Sequence, residues 1–180
     1  TSFTFPNFGT FPVRLTVGDG NTCSDDTLIN VTVVPNAVAD FTVSPACDSA
    51  DVLFTNLVDL TTLAGSGVTV DSFMWDFDND GTFDVVRTTK QDETFVYDLD
   101  NTTDVTVTAL LRVVTSNGCF DTLTVPVLIR PNPVVTIAGA DEYCVGTQDA
   151  NITFSLTVGD FPYTVRFERN GVLDSVEVFT

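Results

Sequence analysis

Acidic side chains are concentrated in one short stretch of the chain. Residues 75–84 read WDFDNDGTFD, in which four aspartates surround one glycine. Carboxylate oxygens are ligands that Ca²⁺ prefers, and acids at alternate positions of a turning backbone can point several of them at one ion. The stretch therefore predicts a structural calcium site with five ligands: Asp76, Asp78, Asp80, the carbonyl of Thr82, and Asp84.

The spacing of these acids resembles an EF-hand loop only in part. The aspartates and Gly81 fill the early ligand positions, but Arg87 stands where a bidentate glutamate should close the site. The flanking residues also read as strands, which excludes an EF-hand. Two interpretations stay open. The acids form a calcium loop on a β-hairpin, or residues 79–81 are a plain turn whose aspartates face water.

Other residue types narrow the chemistry available to this chain. It has no His, and 7 Lys and Arg against 25 Asp and Glu give a formal net charge of −18. Without His the usual general base is missing, and a surface this acidic repels phosphate backbones and anionic lipid headgroups. No apolar run reaches the roughly 18 residues of a membrane span. We expect no enzyme, no nucleic-acid partner and no direct membrane insertion.

The sequence repeats itself at a spacing of 96 positions (119 − 23). LTVGDGNTC ends at Cys23 and LRVVTSNGC ends at Cys119, so both segments read L-x-V-x3-N-x-C. P-N-x-V follows each of them, at 35–38 and at 131–134. This match places repeat boundaries at the two Pro-Asn pairs, and the chain begins without a Met, as expected of a mature protein or a fragment.

The boundaries predict one complete domain between two partial ones. Further along each repeat, a second cysteine precedes a strand-like run, DVLFTNLV or NITFSLTV. Short proline-bearing linkers should connect neighbouring repeats stiffly. The predicted domains are 1–35 as the C-terminal part of one domain, 36–131 as a complete domain (the central repeat), and 132–180 as the N-terminal part of the next (the third repeat).

Composition and alternation predict an all-β fold. Val, Thr and Phe dominate the strand-like runs, and Gly, Asn, Asp and Pro lie between these runs. In DSFMWDF, the alternation puts Phe73, Trp75 and Phe77 on one face and Asp76 and Asp78 on the other. A central repeat of this length fits an immunoglobulin-like sandwich with tandem neighbours. Its seven predicted strands span 38–44, 51–58, 70–77, 83–87, 93–97, 104–115 and 119–130.

The cysteines predict disulfides rather than a metal site, because no C-x-x-C is present and the composition is of extracellular type. In such a sandwich Cys47 and Cys119 lie at opposite ends of a strand, farther apart than the roughly 7 Å that a disulfide tolerates. We therefore favour disulfides between neighbouring repeats over a bond within one. The candidates are Cys23, Cys47, Cys119 and Cys144.

The stretch FMWDFDNDG resembles the W-D-F-G-D-G signature of polycystic kidney disease (PKD) domains. The later N-G-C-x-D-T pattern is similar to PKD and Ig-like repeats of very large surface adhesins of Bacteroidetes, including gliding adhesins. The third repeat, with GDFPYTVRFERNG, is more similar to the Ig-like repeats of the same proteins. The acids of Asp78-Asn79-Asp80-Gly81 depart from the common signature, which again points to a cation.

This resemblance implies a function outside the cell. It implies a glycoprotein segment of a long secreted fibre attached to the outer membrane, whose partners are neighbouring repeats, surface polysaccharide or anchoring proteins. The alternative is an accessory segment that positions substrate for a secreted hydrolase. Bacteroidetes proteins often carry O-glycans at Asp-Ser/Thr followed by a small or aliphatic residue. The resemblance therefore implies the candidates Thr27, Ser49, Thr122 and Ser175.

Overall fold

The computed structural model describes residues 2–139, 152–159 and 162–179. Strands are the main regular structure of these residues, with one 3-10 turn at Thr61–Leu63. No helix in the described ranges is long and apolar enough to cross a membrane. The strands are β1 Gly9–Gly18, β2 Ser24–Val33, β3 Phe41–Val43, β4 Ala46–Cys47, β5 Asp51–Asn56, β6 Val70–Asp76, β7 Val85–Arg87, β8 Glu93–Val96, β9 Val105–Thr115, β10 Phe120–Arg130, β11 Val134–Gly139, β12 Ile152–Val158, β13 Tyr163–Arg169 and β14 Val172–Phe179.

These strands form five sheets. The two largest lie in the central repeat, with the orders β4-β10-β9-β6-β7 and β3-β5-β8, while β1-β2, β11-β12 and β13-β14 are separate antiparallel pairs. All seven strands predicted for the central repeat are present. No pattern in the sequence predicts β4, which has only two residues and pairs in parallel with the end of β10.

The chain divides into two compact units that interleave along the sequence. Their limits cut through β3, β5, β8, β9 and β10, so they do not test the predicted repeat boundaries, which stay predictions. The first unit comprises Thr1–Thr42, Phe54–Glu93 and Thr108–Val125, and the second comprises Val43–Leu53, Thr94–Val107 and Pro126–Thr180.

Aromatic side chains join the two large sheets in the first unit. The ring of Trp75, on β6, lies 5.2 Å from that of Phe41 on β3 and 6.0 Å from that of Phe54 on β5. Phe77 stacks on Trp75 at 5.8 Å, and all four side chains are buried. Because the rings come from both sheets, the sheets pack face to face as a β-sandwich, and the predicted burial of Trp75 in its core is confirmed.

The last hairpin of the central repeat has the predicted position. Its turn is closed by the bond from the Thr115 amide to the Cys119 carbonyl, at 2.8 Å. Gly118 takes a φ of 82°, where a side chain would be strained. Asn117 contributes through its side chain, which accepts the Cys119 N–H at 3.3 Å. The turn therefore fixes where β9 stops and β10 starts.

Candidate metal centre

Three aspartates meet in the loop between β6 and β7. Carboxylate oxygens of Asp76, Asp78 and Asp84 all lie within 4.8 Å of one another. Two oxygens bound to one Ca²⁺ at about 2.4 Å can be no more than about 4.8 Å apart. The cluster thus has the spacing that a single shared calcium ion requires, and its hard oxygen donors suit that ion.

Asp76 is buried, with only 2% of its surface exposed. Its oxygens accept backbone hydrogen bonds from Asp80 at 3.2 Å and from Gly81 at 3.0 Å. The expectation that Asp76 faces water in a plain turn is therefore wrong, because the loop folds back over this carboxylate. Each carboxylate oxygen has a second lone pair, so these bonds leave Asp76 able to bind a cation.

The backbone of the loop adopts two left-handed conformations. Asn79 has a φ of 56° and Gly81 a φ of 94°. Asn tolerates this region and Gly has no steric cost there, which explains the two residue types at these positions. The turn directs the amides of Asp80 and Gly81 inward, towards Asp76.

The remaining predicted ligands occupy different roles. Asp84 closes the loop, since its Oδ2 accepts the Phe77 N–H at 2.8 Å. The Asp80 carboxylate instead accepts the Thr82 N–H at 2.7 Å and is not one of the three clustered acids. The roles predicted for Asp80 and for the Thr82 carbonyl as ligands stay predictions.

The cluster is electrostatically unfavourable when all its acids are charged. Partial desolvation raises the pKa of Asp78, and the charges of Asp80, Asp84 and Asp76 raise it further. The hydrogen bond from the Asp80 N–H acts in the opposite direction. Asp78 therefore holds its negative charge at a cost, and a bound cation would remove that cost.

The three described candidate cysteines carry free thiols. Cys23 and Cys47 are exposed and Cys119 is half-buried. Cys47 pairs with Arg130 at the end of β10, while Cys119 directly precedes its start. Cys144 lies outside the described residues, and disulfides between repeats stay a prediction.

The candidate glycosylation sites are exposed wherever their side chains are described. Thr27 and Thr122 lie on strands, and Ser49 donates a hydrogen bond to Asp98 at 2.9 Å. The side chain of Ser175 lies outside the described residues. Two acids of these motifs have structural roles: Asp48 accepts the Leu99 N–H and Asp121 accepts the Ala39 N–H. These hydrogen bonds are a structural reason for an Asp in the motif, which does not require that the neighbouring Ser or Thr be glycosylated.

The asparagines of both Pro-Asn pairs donate side-chain hydrogen bonds to backbone carbonyls of the central repeat, a role that the sequence analysis missed. The Asn36 side chain donates to the Phe120 carbonyl at 3.0 Å, where β10 starts. The Asn132 side chain donates to the Asp48 carbonyl at 2.9 Å, next to the bond from the Asp48 amide to Arg130. The recurrence of P-N was the signal from which this role could have been found.

Comparisons with known proteins give structural likenesses only. No protein family and no curated protein matches the sequence. The chain is similar to the PKD1 domain of Vibrio anguillarum Epp, with 20% identity over 56% of this chain and 100% of that chain, and a TM-score of 0.40. It is also similar to a carbohydrate-binding module of the β-sandwich superfamily, with 14% identity over 67% of this chain and 53% of that chain, and a TM-score of 0.42. The fold described here rests on the sheets and ring contacts, not on these likenesses.

Proposed function

We propose that this chain is a structural and adhesive segment of a long secreted fibre on a cell surface. The fibre displays a distal binding region for attachment or gliding, and the segment itself has no catalytic role. The observation that supports this most is the way the central repeat holds its two Pro-Asn pairs. Both junctions are tied by side-chain hydrogen bonds rather than left as free linkers.

The two junctions lie at opposite ends of one strand. Asn36 is bonded to the first residue of β10, and Asn132 follows two residues after the last. Both connections of the central repeat are therefore held by side-chain hydrogen bonds, one at the start of β10 and one beside its end. This arrangement supports a role as a spacer that holds a binding region away from the cell.

We also propose that Asp76, Asp78 and Asp84 bind a structural calcium ion. The spacing of their oxygens and the raised pKa of Asp78 support this. When bound, calcium would offset part of the loop's negative charge and fix the connection from β6 to β7. The chain's own bonds from Asp80 and Gly81 to Asp76 already preorganise the loop.

The proposed setting is extracellular. A net charge of −18 suits a soluble surface protein and a calcium-containing medium. The proposed partners are neighbouring repeats, linked in part by disulfides, together with surface polysaccharide and outer-membrane anchoring proteins. Exposed Thr27 and Thr122 are available for O-glycans.

Labelling of intact source cells tests the fibre role. Antibodies against the central repeat should label the surface of intact cells, and an in-frame deletion of residues 36–131 should shorten the fibre and reduce attachment. Hydrolase activity in the culture fluid should not change. Surface labelling that is absent, or attachment that is unaffected by the deletion, would overturn the fibre role.

The alternative is a non-catalytic accessory segment of a secreted hydrolase. It predicts the opposite result in the same experiment. The deletion would then reduce hydrolysis of an insoluble substrate, with little effect on a small soluble substrate, and attachment would be unchanged.

A further inference from the structure

Arg112 lies on the outward face of the five-stranded sheet of the central repeat. It pairs with Met74 of β6, and Met74 in turn pairs with Val86 of β7, so these three side chains share one face. Trp75 belongs to the opposite face and packs in the core. All five strands of this sheet lie within the central repeat, so the face belongs to a closed sandwich rather than to a partial one.

Arg112 has no acidic partner in the part of the chain that the structure describes. Arg14 pairs with Asp26 and Arg87 with Glu93, as expected in a chain with 25 acids. Arg112 is half-buried, and its Nε is buried without a hydrogen-bond partner. A guanidinium in this situation has lost hydration without compensation from a carboxylate. An anionic group from outside the chain would provide that compensation.

An aromatic ring supports the guanidinium of Arg112. Its central carbon lies 3.9 Å from the centroid of the ring of Phe120, the first residue of β10. A guanidinium stacked on a ring keeps its N–H groups in one plane, where they can bind a carboxylate through two parallel hydrogen bonds. Phe120 and Val86 are each 53% exposed, so apolar surface is available on the same face.

The acids of the neighbouring calcium loop do not take this role. Asp76 belongs to the same face by register, because it pairs with Leu110, two residues from Arg112. Its buried carboxylate accepts the amides of Asp80 and Gly81 instead. Arg112 is therefore available to a carboxylate from a partner.

The fold of the last hairpin does not require this pair of residues. At the repeat spacing of 96 positions, the first repeat has Thr16 where the central repeat has Arg112, and Ser24 where it has Phe120. A last hairpin forms in both repeats. The stacked pair is thus an addition to the central repeat, which favours a role in binding over a role in folding.

The position of Arg112 in the sheet indicates what kind of partner brings the carboxylate. β9 lies between β10 and β6, so it has no free edge to which an extended peptide could add as a strand. It belongs instead to a broad face with a ring, apolar side chains and the exposed hydroxyl of Thr124, which alternation places on the same side as Phe120. Sugar rings can lie flat on such a face, with their C–H groups on the apolar side chains and their hydroxyls at hydrogen-bonding groups.

We propose that Arg112 and Phe120 form a binding site for a carboxylate-bearing polysaccharide, namely a chain that contains uronic acid. The carboxylate of one sugar binds the guanidinium, and the sugar rings lie over Phe120 and the apolar side chains beside it. This site rests on the polysaccharide contact of the proposed function, and it gives that partner a charge and a place on the sandwich.

Nuclear magnetic resonance titration of the 180-residue chain with a galacturonic acid tetramer tests the site. In about 0.15 M salt, charges more than about 8 Å apart are largely screened. A chelator ensures that calcium does not bridge the acids of the two molecules. The amides of Arg112 and Phe120 should shift, with a Kd of about 0.1–1 mM for one exposed site. The methyl ester of the tetramer, which has the same rings without the charge, should bind at least about tenfold more weakly.

Substitutions separate the site from the overall charge of the chain. Arg112→Gln should weaken binding at least about tenfold, and Arg112→Lys should have a smaller effect because it keeps the charge but not the planar fork. Phe120→Ala should weaken binding about fivefold. Arg14→Gln removes one positive charge from an exposed arginine on β1 and is the matched control, with a Kd within about twofold of the wild type. Unchanged Trp75 fluorescence shows that each variant keeps its core.

Four results would overturn the site. The tetramer could fail to bind at about 10 mM, or the acid and its methyl ester could bind equally well. Arg112→Gln and Arg14→Gln could weaken binding equally, which would indicate an effect of net charge alone. A tetramer of glutamate could bind as tightly as the sugar, which would assign the face to acidic peptides.

Failure of this site is distinguishable from failure of the fibre role. The fibre role is tested by attachment of cells that lack residues 36–131, whereas the site is tested by binding to the isolated chain. Unchanged attachment together with binding that depends on Arg112 would sink the fibre role and leave the site. Reduced attachment together with binding that does not depend on Arg112 would do the reverse.

Discussion

Asp76 combines two roles in one side chain. It lies between the core residues Trp75 and Phe77 in the sequence and is buried like them. Its oxygens accept hydrogen bonds from the amides of Asp80 and Gly81. A buried carboxylate is tolerated when hydrogen bonds satisfy it. Hydrogen bonds from the loop's own backbone therefore satisfy this carboxylate.

Calcium should stabilise the wild type and should have no effect on variants that lack one of the clustered acids. We expect millimolar calcium to raise the Tm of the wild type, because it binds only the folded loop. Asp84→Asn and Asp78→Asn should abolish this increase. Differential scanning calorimetry with calcium and with chelator measures it.

Asp71→Asn is the matched control for charge, because Asp71 is an exposed acid on β6, the same strand that carries Asp76. Its calcium response should equal that of the wild type. Without calcium, Asp78→Asn should raise the stability slightly, by less than about 1 kcal/mol, since the exposed carboxylate is screened by solvent. Equal calcium responses in wild type and Asp84→Asn would contradict the proposed site.

Glu93 should make stability depend on pH in the acidic range. Hydrogen bonds from Arg87, at 2.7 and 3.0 Å, lower the pKa of this buried carboxyl, and Gln91 also contributes. A lowered folded-state pKa stabilises the protein above the unfolded pKa of about 4.3, and this contribution is lost as pH falls through the folded pKa. Glu93→Gln should therefore cost about 1 kcal/mol at pH 7.

The difference between wild type and Glu93→Gln should decrease as the pH falls below about 4. Urea unfolding at pH 7, 5, 4 and 3 measures it. The ion pair contributes little because the Arg87 side chain is 44% exposed and its charge is screened by solvent. A difference that stays constant over this range would contradict the assignment.

At the scale of elements, Asp48 connects three segments of the chain. Its amide binds Arg130, its carbonyl accepts the Asn132 side chain, and its carboxylate accepts the Leu99 N–H. The short strand β4 is thereby fixed against the end of β10. A buried acid in this position orders the junction without adding apolar area.

Removal of the Asn132 side chain should loosen the second junction. Asn132→Ala deletes one hydrogen bond, so we expect the chain to lose about 0.5–1.5 kcal/mol of stability. Faster amide exchange at Asp48 and faster proteolysis near residues 131–133 should accompany it. Asn30→Ala, an exposed asparagine on β2, is the control and should change neither.

The strands were largely predictable, whereas the contacts of the loops were not. Alternation of apolar residues identified β6 and the buried Trp75. Successive side chains of a strand point to opposite faces, so an apolar residue at every second position shows which face of the strand packs on the core. β4 has only two residues, which is too short for such an alternation to be seen. The burial of Asp76 was missed because it depends on the positive φ values of Asn79 and Gly81, which fold the loop over it.

At the scale of the whole molecule, its parts differ in how well they are packed. The central repeat has an aromatic core in which Trp75 is fully buried, whereas β1-β2 is an isolated pair with exposed apolar side chains. An isolated two-stranded sheet is marginally stable in water. Local unfolding should therefore begin outside the central repeat.

Two probes should report different unfolding transitions. Trp75 is the only Trp, so its fluorescence reports on the central repeat alone, whereas far-UV circular dichroism reports on all strands. In dilute solution, the circular dichroism signal should begin to fall at a lower urea concentration than the fluorescence changes. Coincident curves would show a single cooperative unit instead.

The repeat was predictable from the sequence. It also predicts that the β1-β2 hairpin corresponds to the β9-β10 hairpin of the central repeat. Which side chains of β11 and β12 share a face was not predictable, because the residues on these strands share too little spacing with β3 and β5 for position-by-position comparison. Pairing registers supplied that information, since they show which side chains share a face.

If the proposed fibre is under tension, the parallel pairing of β4 with β10 affects how this repeat bears the load. If its ends are pulled apart, the chain before β4 is drawn one way and the chain after β10 the other. The hydrogen bonds between two parallel strands are then loaded in shear, so they must break together. An antiparallel hairpin pulled from one end would open bond by bond. With the Asp48 amide bound to Arg130 beside it, this short pair would act as a mechanical clamp at the point where force leaves the repeat.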